Sequence, residues 1–388
     1  MQGFEFNTVR RIISGAGSAL QLAEQCRRLG IARPLLVTDP GLMAIGLVQP
    51  VLAALESEDL QVAVFDQVRE DPPEATVLAA ADLGRSHGVD GVLAVGGGSS
   101  MDVAKVVAAL LGGRQALAQL YGVGNITGQR LPLVLVPTTA GTGSEVTPVA
   151  VITTGETTKA GVSSPVLLPD VAVLDADLTL GLPPAITAMT GVDAMVHAIE
   201  AYTSRHQKNP ISDNLARHAL TLLARNIRTA VRDGRNREAR ENMLLGACLA
   251  GQAFANAPVA AVHALAYPLG GHYHIPHGLS NSLVLPTVLE FNAPSACELY
   301  AELAEIVVGA PIAGGAEAKT SALVEALRRL IDDVALPATL EAAGVDEGNL
   351  ERLAEDAMLQ QRLLVNNPRD VDYEDALGIY RAAFRRPA

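Results

Sequence analysis

The sequence contains no tryptophan, and aromatic residues make up only 3% of its 388 positions. Basic residues are also scarce, since 29 lysines and arginines stand against 42 aspartates and glutamates, giving a formal net charge of −13. Nucleic-acid binding needs basic surfaces and often aromatic rings on which bases stack, and anionic lipid headgroups repel an acidic protein. We therefore expect a protein that binds neither nucleic acid nor a membrane surface.

Cysteine is equally rare. Only three are present, Cys26, Cys248 and Cys297, and no two of them lie close together in the sequence. An odd number of widely spaced cysteines in a long chain is typical of reduced thiols in the cytosol and argues against disulfides and zinc knuckles. The first residues also lack the charged and then apolar segments of a signal peptide. These features predict a cytoplasmic protein.

Long apolar runs are absent, although 49% of the residues are hydrophobic and can fill sizeable cores. No stretch offers the roughly 18 uninterrupted apolar residues of a membrane-spanning helix. The least charged stretch, residues 242–271, is interrupted by Gln252, Asn256, Pro258 and His263. We interpret it as buried helix near a functional site.

The first half of the chain alternates short apolar runs with helical patterns. Continuous apolar, β-branched runs are typical of parallel strands buried on both faces, and apolar residues at three-to-four spacing indicate helices. This alternation predicts a doubly wound α/β sheet with helices on both faces. The predicted strands are residues 34–38, 61–65, 91–95, 133–136 and 171–174, and the predicted helices are residues 47–58, 74–87 and 101–111.

The sequence Gly-Leu-Pro-Pro at residues 181–184 marks a change of composition. Two prolines after a glycine are a strong break, and proline suits the first turn of a helix. The residues beyond it are rich in alanine, leucine and arginine, and they predict helices at residues 185–204, 211–232 and 318–333. We therefore predict an α/β nucleotide-binding domain over residues 1–181 and an all-α domain over residues 182–388.

Two glycine-rich loops each follow a predicted strand. The first is GGGSS at residues 96–100, which opens a predicted helix, and the second is PTTAGTGS at residues 137–144. Glycine lets backbone N–H groups approach an anion closely, and a helix N-terminus adds partial positive charge. Two such loops at the carboxyl ends of parallel strands indicate one nucleotide site. Neither loop has the G-x-x-x-x-G-K-[ST] pattern of a P-loop NTPase.

Asp39 directly follows the first predicted strand, and its position has two interpretations. A carboxylate there can accept a hydrogen bond from a ribose 2′-hydroxyl group and would repel a 2′-phosphate. Alternatively, it begins an Asx turn before Pro40 and Gly41. The spacing alone favours neither.

A second set of residues indicates a metal site. Asp193 and His197 lie four apart in a helical pattern and therefore project from one face, while His263 and His277 lie in or beside the uncharged stretch. One buried histidine is usually an ordinary core residue, but four such residues in apolar surroundings favour a metal. Three imidazoles and one carboxylate suit Fe(II), zinc, cobalt, nickel or manganese. His272 and His274 lie nearby, and the sequence does not assign them as ligands.

Four segments complete the pattern: GGGSSMDVAK (96–105), PTTAGTGSEVT (137–147), GVDAMVHAIEAY (191–202) and HALAYPLGGHYHIPHG (263–278). Together they resemble the iron-containing (group III) alcohol dehydrogenases, from about residue 4 to residues 367–369. The resemblance implies a dehydroquinate synthase-like fold, Fe(II) with zinc or another divalent ion as the alternative, and NAD rather than NADP. It places the metal ligands at Asp193, His197, His263 and His277, and the NAD contacts at Asp39, Gly97, Gly98, Ser99, Thr138, Thr139, Thr142, Lys159 and Leu178.

The sequence departs from this family at two places. Tyr267 stands where the family usually has histidine, and residues 71–73 read Asp-Pro-Pro where it often has Asn-Pro-Thr. Tyr267 lies one helical turn after His263, so we expect it to face the metal and pass the proton of the alcohol; the alternative is that it only fills space. Phe254 either lines the substrate pocket or belongs to the core.

The resemblance implies a metal-dependent, NAD(H)-linked oxidoreductase that interconverts a small alcohol and its aldehyde or ketone, as a homodimer or larger homo-oligomer. Three alternatives stay open. A hydroxyacid–oxoacid transhydrogenase would retain its NAD, and a dehydroquinate synthase-type lyase would need a basic phosphate pocket. The third is a binding protein without catalytic activity.

Overall fold

The computed structural model describes residues 3–155 and 158–385, with the side chain of Thr158 excluded. The chain divides into two compact units. The first is Asn7–Leu180, and the second holds the chain from Gly181 onward together with the segment before Asn7.

The unit Asn7–Leu180 contains nine strands and five helices in the described residues. The strands are β1 (Ile12–Ser14), β2 (Pro34–Val37), β3 (Ala63–Phe65), β4 (Gly91–Gly96), β5 (Gly122–Val123), β6 (Leu133–Pro137), β7 (Val149–Thr154), β8 (Thr158–Ser163) and β9 (Val171–Leu174). The helices are α1 (Leu22–Leu29), α2 (Pro40–Ala44), α3 (Gln49–Glu56), α4 (Glu74–Ser86) and α5 (Gly98–Gly112).

Six of these strands form one parallel sheet in the order β1-β9-β6-β4-β2-β3. Neighbouring residues of each strand face opposite sides of the sheet, because successive side chains of a strand point in opposite directions. Leu36 and Leu93 belong to the core beneath α1 and α3, while Leu35 and Val92 belong to the core beneath α4 and α5. The predicted α/β sheet with helices on both faces is therefore confirmed.

A smaller sheet of three strands, in the order β5-β8-β7, was not predicted from the sequence. Strands β7 and β8 form an antiparallel hairpin in which Val149 pairs with Ser163. The outer strand β1 of the large sheet was also missed. It is only three residues long, and Ile12 is exposed, so it lacks the continuous apolar run by which the other strands were identified.

The second unit is helical in the described residues. Its helices are α6 (Pro184–Thr203), α7 (Pro210–Arg232), α8 (Arg237–Asn256), α9 (Ala261–Tyr273), α10 (His277–Val308), α11 (Ala316–Asp333), α12 (Leu350–Met358), α13 (Gln361–Leu364) and α14 (Tyr373–Phe384). Helix α6 is buried along most of its length and packs against α7, α8 and α10. The all-α region predicted after residue 181 is confirmed.

The uncharged stretch 242–271 forms parts of two helices, α8 and α9, which meet at a bend of 107°. Pro258 lies in the break, where its ring removes a backbone donor and limits continuation of the helix. No single helix of the described residues is long and apolar enough to cross a membrane, although this bent pair together passes that test of length and composition. Both helices bury many of their residues within the unit.

The start of α10 approaches α6 unusually closely. A Cβ atom at Gly278 would lie 2.3 Å from the carbonyl oxygen of Met189, a distance that real side chains do not show. Only glycine fits at position 278, directly after His277. Because Gly278 has no side chain, the start of α10 can lie close to α6 and bring His277 near the residues of that helix.

Candidate metal centre and nucleotide loops

Three helices of the second unit bring the four predicted ligands together. Helix α6 carries Asp193 and His197 one turn apart, α9 carries His263, and His277 is the first residue of α10. One ligand atom from each residue lies within 4.8 Å of the others. The Oδ1 atom of Asp193 is 3.9 Å from Nε2 of His197, 3.8 Å from Nε2 of His263 and 3.6 Å from Nε2 of His277.

The cluster is largely shielded from solvent, since Asp193, His197 and His263 are buried and His277 is partly exposed. Burial by itself raises the pKa of Asp193, because a desolvated carboxylate is costly. The imidazoles of His197, His277 and His263, together with the amide of Asn281, outweigh this effect and hold the pKa of Asp193 below its ordinary value. The site thus stabilises a buried negative charge at the point where the imidazole nitrogens converge.

Asn281 lies one turn after His277 on α10 and completes the surroundings of Asp193. Its Nδ2 atom donates to Oδ1 of Asp193 at 2.6 Å and lies 3.3 Å from Nε2 of both His263 and His277. Its Oδ1 atom is buried and has no hydrogen-bond partner among the described residues. The sequence analysis missed Asn281, although its spacing of four from His277 places both on one helix face.

A divalent metal ion fits these donors. The four ligand atoms converge, the carboxylate is ionised and buried, and oxygen and imidazole donors suit first-row divalent ions. The amide of Asn281 makes hydrogen bonds among the same atoms and leaves its own oxygen unpaired. The donor set and the buried, ionised carboxylate therefore match the requirements of a divalent cation.

Glu200 is a second residue that the sequence analysis missed. It lies on α6, seven residues after Asp193, and its Oε2 atom is 2.6 Å from Nδ1 of His263. Its Oε1 atom accepts the backbone N–H of Val262 at 2.7 Å. The sequence did offer a signal for it. Seven residues are about two helical turns, so Glu200 lies on the same face of α6 as Asp193.

The two residues expected to act on the substrate lie beside the cluster. The ring of Phe254 stacks on His197 with ring centroids 4.3 Å apart. The ring of Tyr267 lies 5.9 Å from that of His277 and is tilted by 49°. His272 instead hydrogen-bonds Asp356 of α12, at 2.5 Å, and is not among the four residues of the cluster.

In the unit Asn7–Leu180, the two glycine-rich loops lie side by side because the strands before them are neighbours. Gly96 at the end of β4 pairs with Pro137 at the end of β6. Gly98 opens α5, and a Cβ atom there would lie 2.8 Å from the side chain of Thr142 in the other loop. The structure therefore brings the two predicted phosphate loops into contact at one edge of the sheet.

A buried polar network behind these loops joins α5 to the second loop. The ammonium group of Lys105 donates to Oγ of Ser144 at 2.7 Å and to the carbonyl of Val149 at 2.7 Å, and it lies 3.6 Å from Asp102. Burial lowers the pKa of Lys105 and raises that of Asp102. Burial also raises the pKa of Glu145 to about 7, an effect that the nearby Lys105 reduces.

The side chains of Asp39 and Lys159, two of the predicted NAD contacts, bind to other groups of the protein in this structure. Asp39 follows β2 and caps α2, since its Oδ1 atom accepts the N–H of Leu42 at 3.0 Å. This bond to the third residue on makes Asp39 the N-cap of α2, whereas an Asx turn would bond the N–H of Gly41, two residues on. The ribose contact stays a prediction. Lys159 on β8 forms an ion pair with Asp71 at 2.7 Å, and Leu178 packs against the core beneath α1 and α3.

Comparison with known proteins places two family models on consecutive parts of the chain. "Iron-containing alcohol dehydrogenase" matches residues 9–176, and "Fe-containing alcohol dehydrogenase family, C-terminal" matches residues 187–384. Long-chain-alcohol dehydrogenase 1 of Geobacillus thermodenitrificans (strain NG80-2) is 42% identical over 376 residues, which are 95% of this chain and 94% of that protein.

Solved structures are similar over the whole chain. A crystal structure of 1,3-propanediol oxidoreductase has a TM-score of 0.95 and 37% identity, covering 99% of this chain and 100% of that one. Sulfoacetaldehyde reductase from Bifidobacterium kashiwanohense, in complex with NAD+, has a TM-score of 0.89 and 29% identity, covering 100% of both chains.

Proposed function

Since the chain belongs to the iron-containing alcohol dehydrogenase family, we propose that it interconverts a small neutral alcohol and its aldehyde or ketone with NAD(H) and Fe(II). Its membership confirms the family resemblance and the predicted class of enzyme, an NAD-linked alcohol–carbonyl oxidoreductase. The transhydrogenase, the lyase and the non-catalytic protein are not favoured, because the relatives found are named as alcohol dehydrogenases, diol dehydrogenases or aldehyde reductases.

We assign the dinucleotide to the predicted domain of residues 1–181, which corresponds to the unit Asn7–Leu180, and the metal to the predicted domain of residues 182–388, which corresponds to the helical unit from Gly181 onward. The NAD complex of the sulfoacetaldehyde reductase supports NAD as the cofactor, and the paired loops offer hydroxyl groups and close backbone approach for its phosphates. In this proposal the second carboxylate oxygen of Asp39 binds the adenine ribose and disfavours a 2′-phosphate. The remaining contacts are those implied by the resemblance, Gly97, Gly98, Ser99, Thr138, Thr139, Thr142, Lys159 and Leu178.

Asp193, His197, His263 and His277 would hold the metal. When bound, a divalent metal supplies Lewis acidity toward an alcohol oxygen, and the nicotinamide carries the hydride. The hydroxyl group of Tyr267, on the ring that lies beside His277, passes the alcohol proton toward solvent. Phe254, stacked on His197, excludes water from the same side of the cluster.

The two segments that carry the proposed metal ligands lack cationic side chains, which supports a neutral substrate. Residues 187–202 and 254–281 contain no lysine and no arginine, and these are the side chains that most strongly bind phosphorylated or carboxylated substrates. Two relatives are named for uncharged alcohols, long-chain alcohols and 1,3-propanediol, whereas others are named for charged compounds, sulfoacetaldehyde and choline. The proposal of a neutral substrate therefore rests on the sequence of these segments in this chain. We further propose that the enzyme acts in the cytoplasm as a homodimer or larger homo-oligomer.

The observation that carries the proposal is the convergence of four ligand atoms within 4.8 Å. The test compares metal content and activity of the wild type, His263→Ala and His272→Ala after chelation and anaerobic reloading with Fe(II). His272 lies on the same helix but pairs with Asp356, so it is the matched control. Activity is followed as NADH absorbance with a panel of neutral alcohols, with and without added NAD.

We expect the wild type and His272→Ala to bind the metal and to oxidise alcohol only with added NAD. His263→Ala should fold, lose most of its metal and lose activity, because the loss of one ligand strongly reduces metal affinity. Unchanged metal content in His263→Ala would overturn the proposed site. Turnover without added NAD would favour the transhydrogenase.

A further inference from the structure

Glu200 links two of the helices that supply the metal ligands. It lies on α6 with Asp193 and His197, and its carboxylate makes both of its described hydrogen bonds to the first turn of α9. One bond is to Nδ1 of His263 at 2.6 Å, and the other is from the N–H of Val262 at 2.7 Å. Both side chains are almost fully buried, with 4% of Glu200 and 3% of His263 exposed.

This contact determines which nitrogen of His263 is available as a ligand. An ionised carboxylate only accepts hydrogen bonds, so the proton of a neutral His263 ring lies on Nδ1. The Nε2 atom then keeps its lone pair, and it is this atom that lies 3.8 Å from Oδ1 of Asp193 in the cluster. The bond also restricts rotation of the ring about its side-chain bonds.

The second bond fixes the helix that carries the ring. Val262 lies in the first turn of α9, where backbone N–H groups lack partners within the helix. A carboxylate bound there satisfies one of them and interacts favourably with the helix dipole. Glu200 therefore holds both the ring of His263 and the start of its helix against α6.

We propose that Glu200 is a positioning residue of the metal centre, which sets metal affinity by holding His263 in the tautomer and orientation that present Nε2. The inference rests on the proposed metal site. Carboxylates that bind the second nitrogen of a ligating histidine strengthen it as a donor, and their loss typically costs 10- to 100-fold in metal affinity.

The test is a double-mutant cycle on metal affinity. Apo forms of the wild type, Glu200→Gln, His263→Ala and the double variant are titrated with Zn²⁺ and, without oxygen, with Fe²⁺ in competition with a chelator. Thr203→Val is the control, because Thr203 is buried one turn further along α6 and its hydroxyl group bonds to the carbonyl of Ile199. Circular dichroism checks that each apo protein is folded, and the visible spectrum of the Co²⁺ forms reports the ligand geometry.

We expect Glu200→Gln to weaken metal binding by about 10- to 100-fold and to change the Co²⁺ spectrum, whereas Thr203→Val does neither. In the His263→Ala background the same change should have little further effect, because Glu200 acts through that ring. An equal loss in both backgrounds would overturn the proposal, since Glu200 would then act by its charge alone. Wild-type affinity in Glu200→Gln would also overturn it.

The proposed site and the role of Glu200 can fail separately. If the wild type and His263→Ala bind metal equally, the site itself is wrong. If His263→Ala weakens binding but Glu200→Gln does not, only the role of Glu200 is wrong. Should Glu200→Gln fail to fold, Glu200→Asp, which withdraws the carboxylate by one methylene group, replaces it in the same cycle with the same expected losses.

Discussion

The carboxyl group of Glu145 makes stability depend on pH in a way that one substitution should abolish. Burial raises its pKa from an ordinary 4.5 to about 7, so the folded protein binds this proton more tightly than the unfolded chain does. The protonated group therefore contributes stability below about pH 4.5, and that contribution is lost as the pH rises through about 7. The difference in pKa corresponds to about 3 kcal/mol in total.

The variant Glu145→Gln keeps the shape of the side chain but does not titrate. Linkage over these two pKa values predicts that its stability relative to the wild type increases by about 2.5 kcal/mol between about pH 5 and pH 8.5. For a unit of this size, that corresponds to a relative gain in melting temperature of about 5 to 10 °C. Thermal melts followed by circular dichroism at several pH values measure it.

The exposed Glu70 is the control, since Glu70→Gln changes the same functional group where it is solvated. Its melting temperature should follow that of the wild type at every pH. A difference between Glu145→Gln and the wild type that stays constant from pH 5 to pH 8.5 would show that Glu145 is ionised in the folded protein throughout, and the argument from burial would be refuted.

Two further predictions concern the cofactor and the proton. Replacing Asp39 by glycine should change the ratio of kcat/KM with NADP to kcat/KM with NAD in favour of NADP, by about tenfold or more. The protein should lose little stability, because glycine is tolerated as a helix cap. A wild type that already prefers NADP would refute the role of Asp39. Tyr267→Phe should lower the rate of alcohol oxidation at least about tenfold at unchanged metal content. Tyr267→His should instead oxidise alcohol faster than the wild type near neutral pH, because the ordinary pKa of histidine is about 6.5. Equal rates in all three proteins would mean that Tyr267 only fills space.

The parts of the fold that the sequence predicted correctly are those with a strong local signal. Strands such as β4 and β6 are buried on both faces and read as continuous apolar runs, and they were located to within a few residues. The hairpin of β7 and β8 has no such signal. In β7 only Ala150 and Ile152 are buried, in β8 only Val162 is buried among the described side chains, and the two strands include threonine and lysine.

The four candidate ligands were predicted because metal binding needs particular residue types, and those types are rare in apolar helices; the structure brings their ligand atoms within 4.8 Å of one another. Glu200 and Asn281 were missed for a different reason. Their roles depend on contacts across helices, with His263 and with Asp193, and these contacts follow from how α6, α9 and α10 pack rather than from the sequence around each residue. The pairing of Lys159 with Asp71 is likewise a contact between residues far apart in sequence, which no local pattern predicts.

The positions of the four proposed ligands along the chain determine when a metal ion could be bound during synthesis. Every strand of the parallel sheet has been translated by Leu174, whereas the four ligands lie between Asp193 and His277. Domains generally fold as units as they leave the ribosome, the N-terminal one first. The α/β unit can thus fold before any of the proposed ligands has been synthesised, and a metal ion at the proposed site would have all four donors only after His277 has emerged. In a cell short of a suitable divalent ion, we therefore expect chains in which the α/β unit is folded and the proposed metal site is not filled.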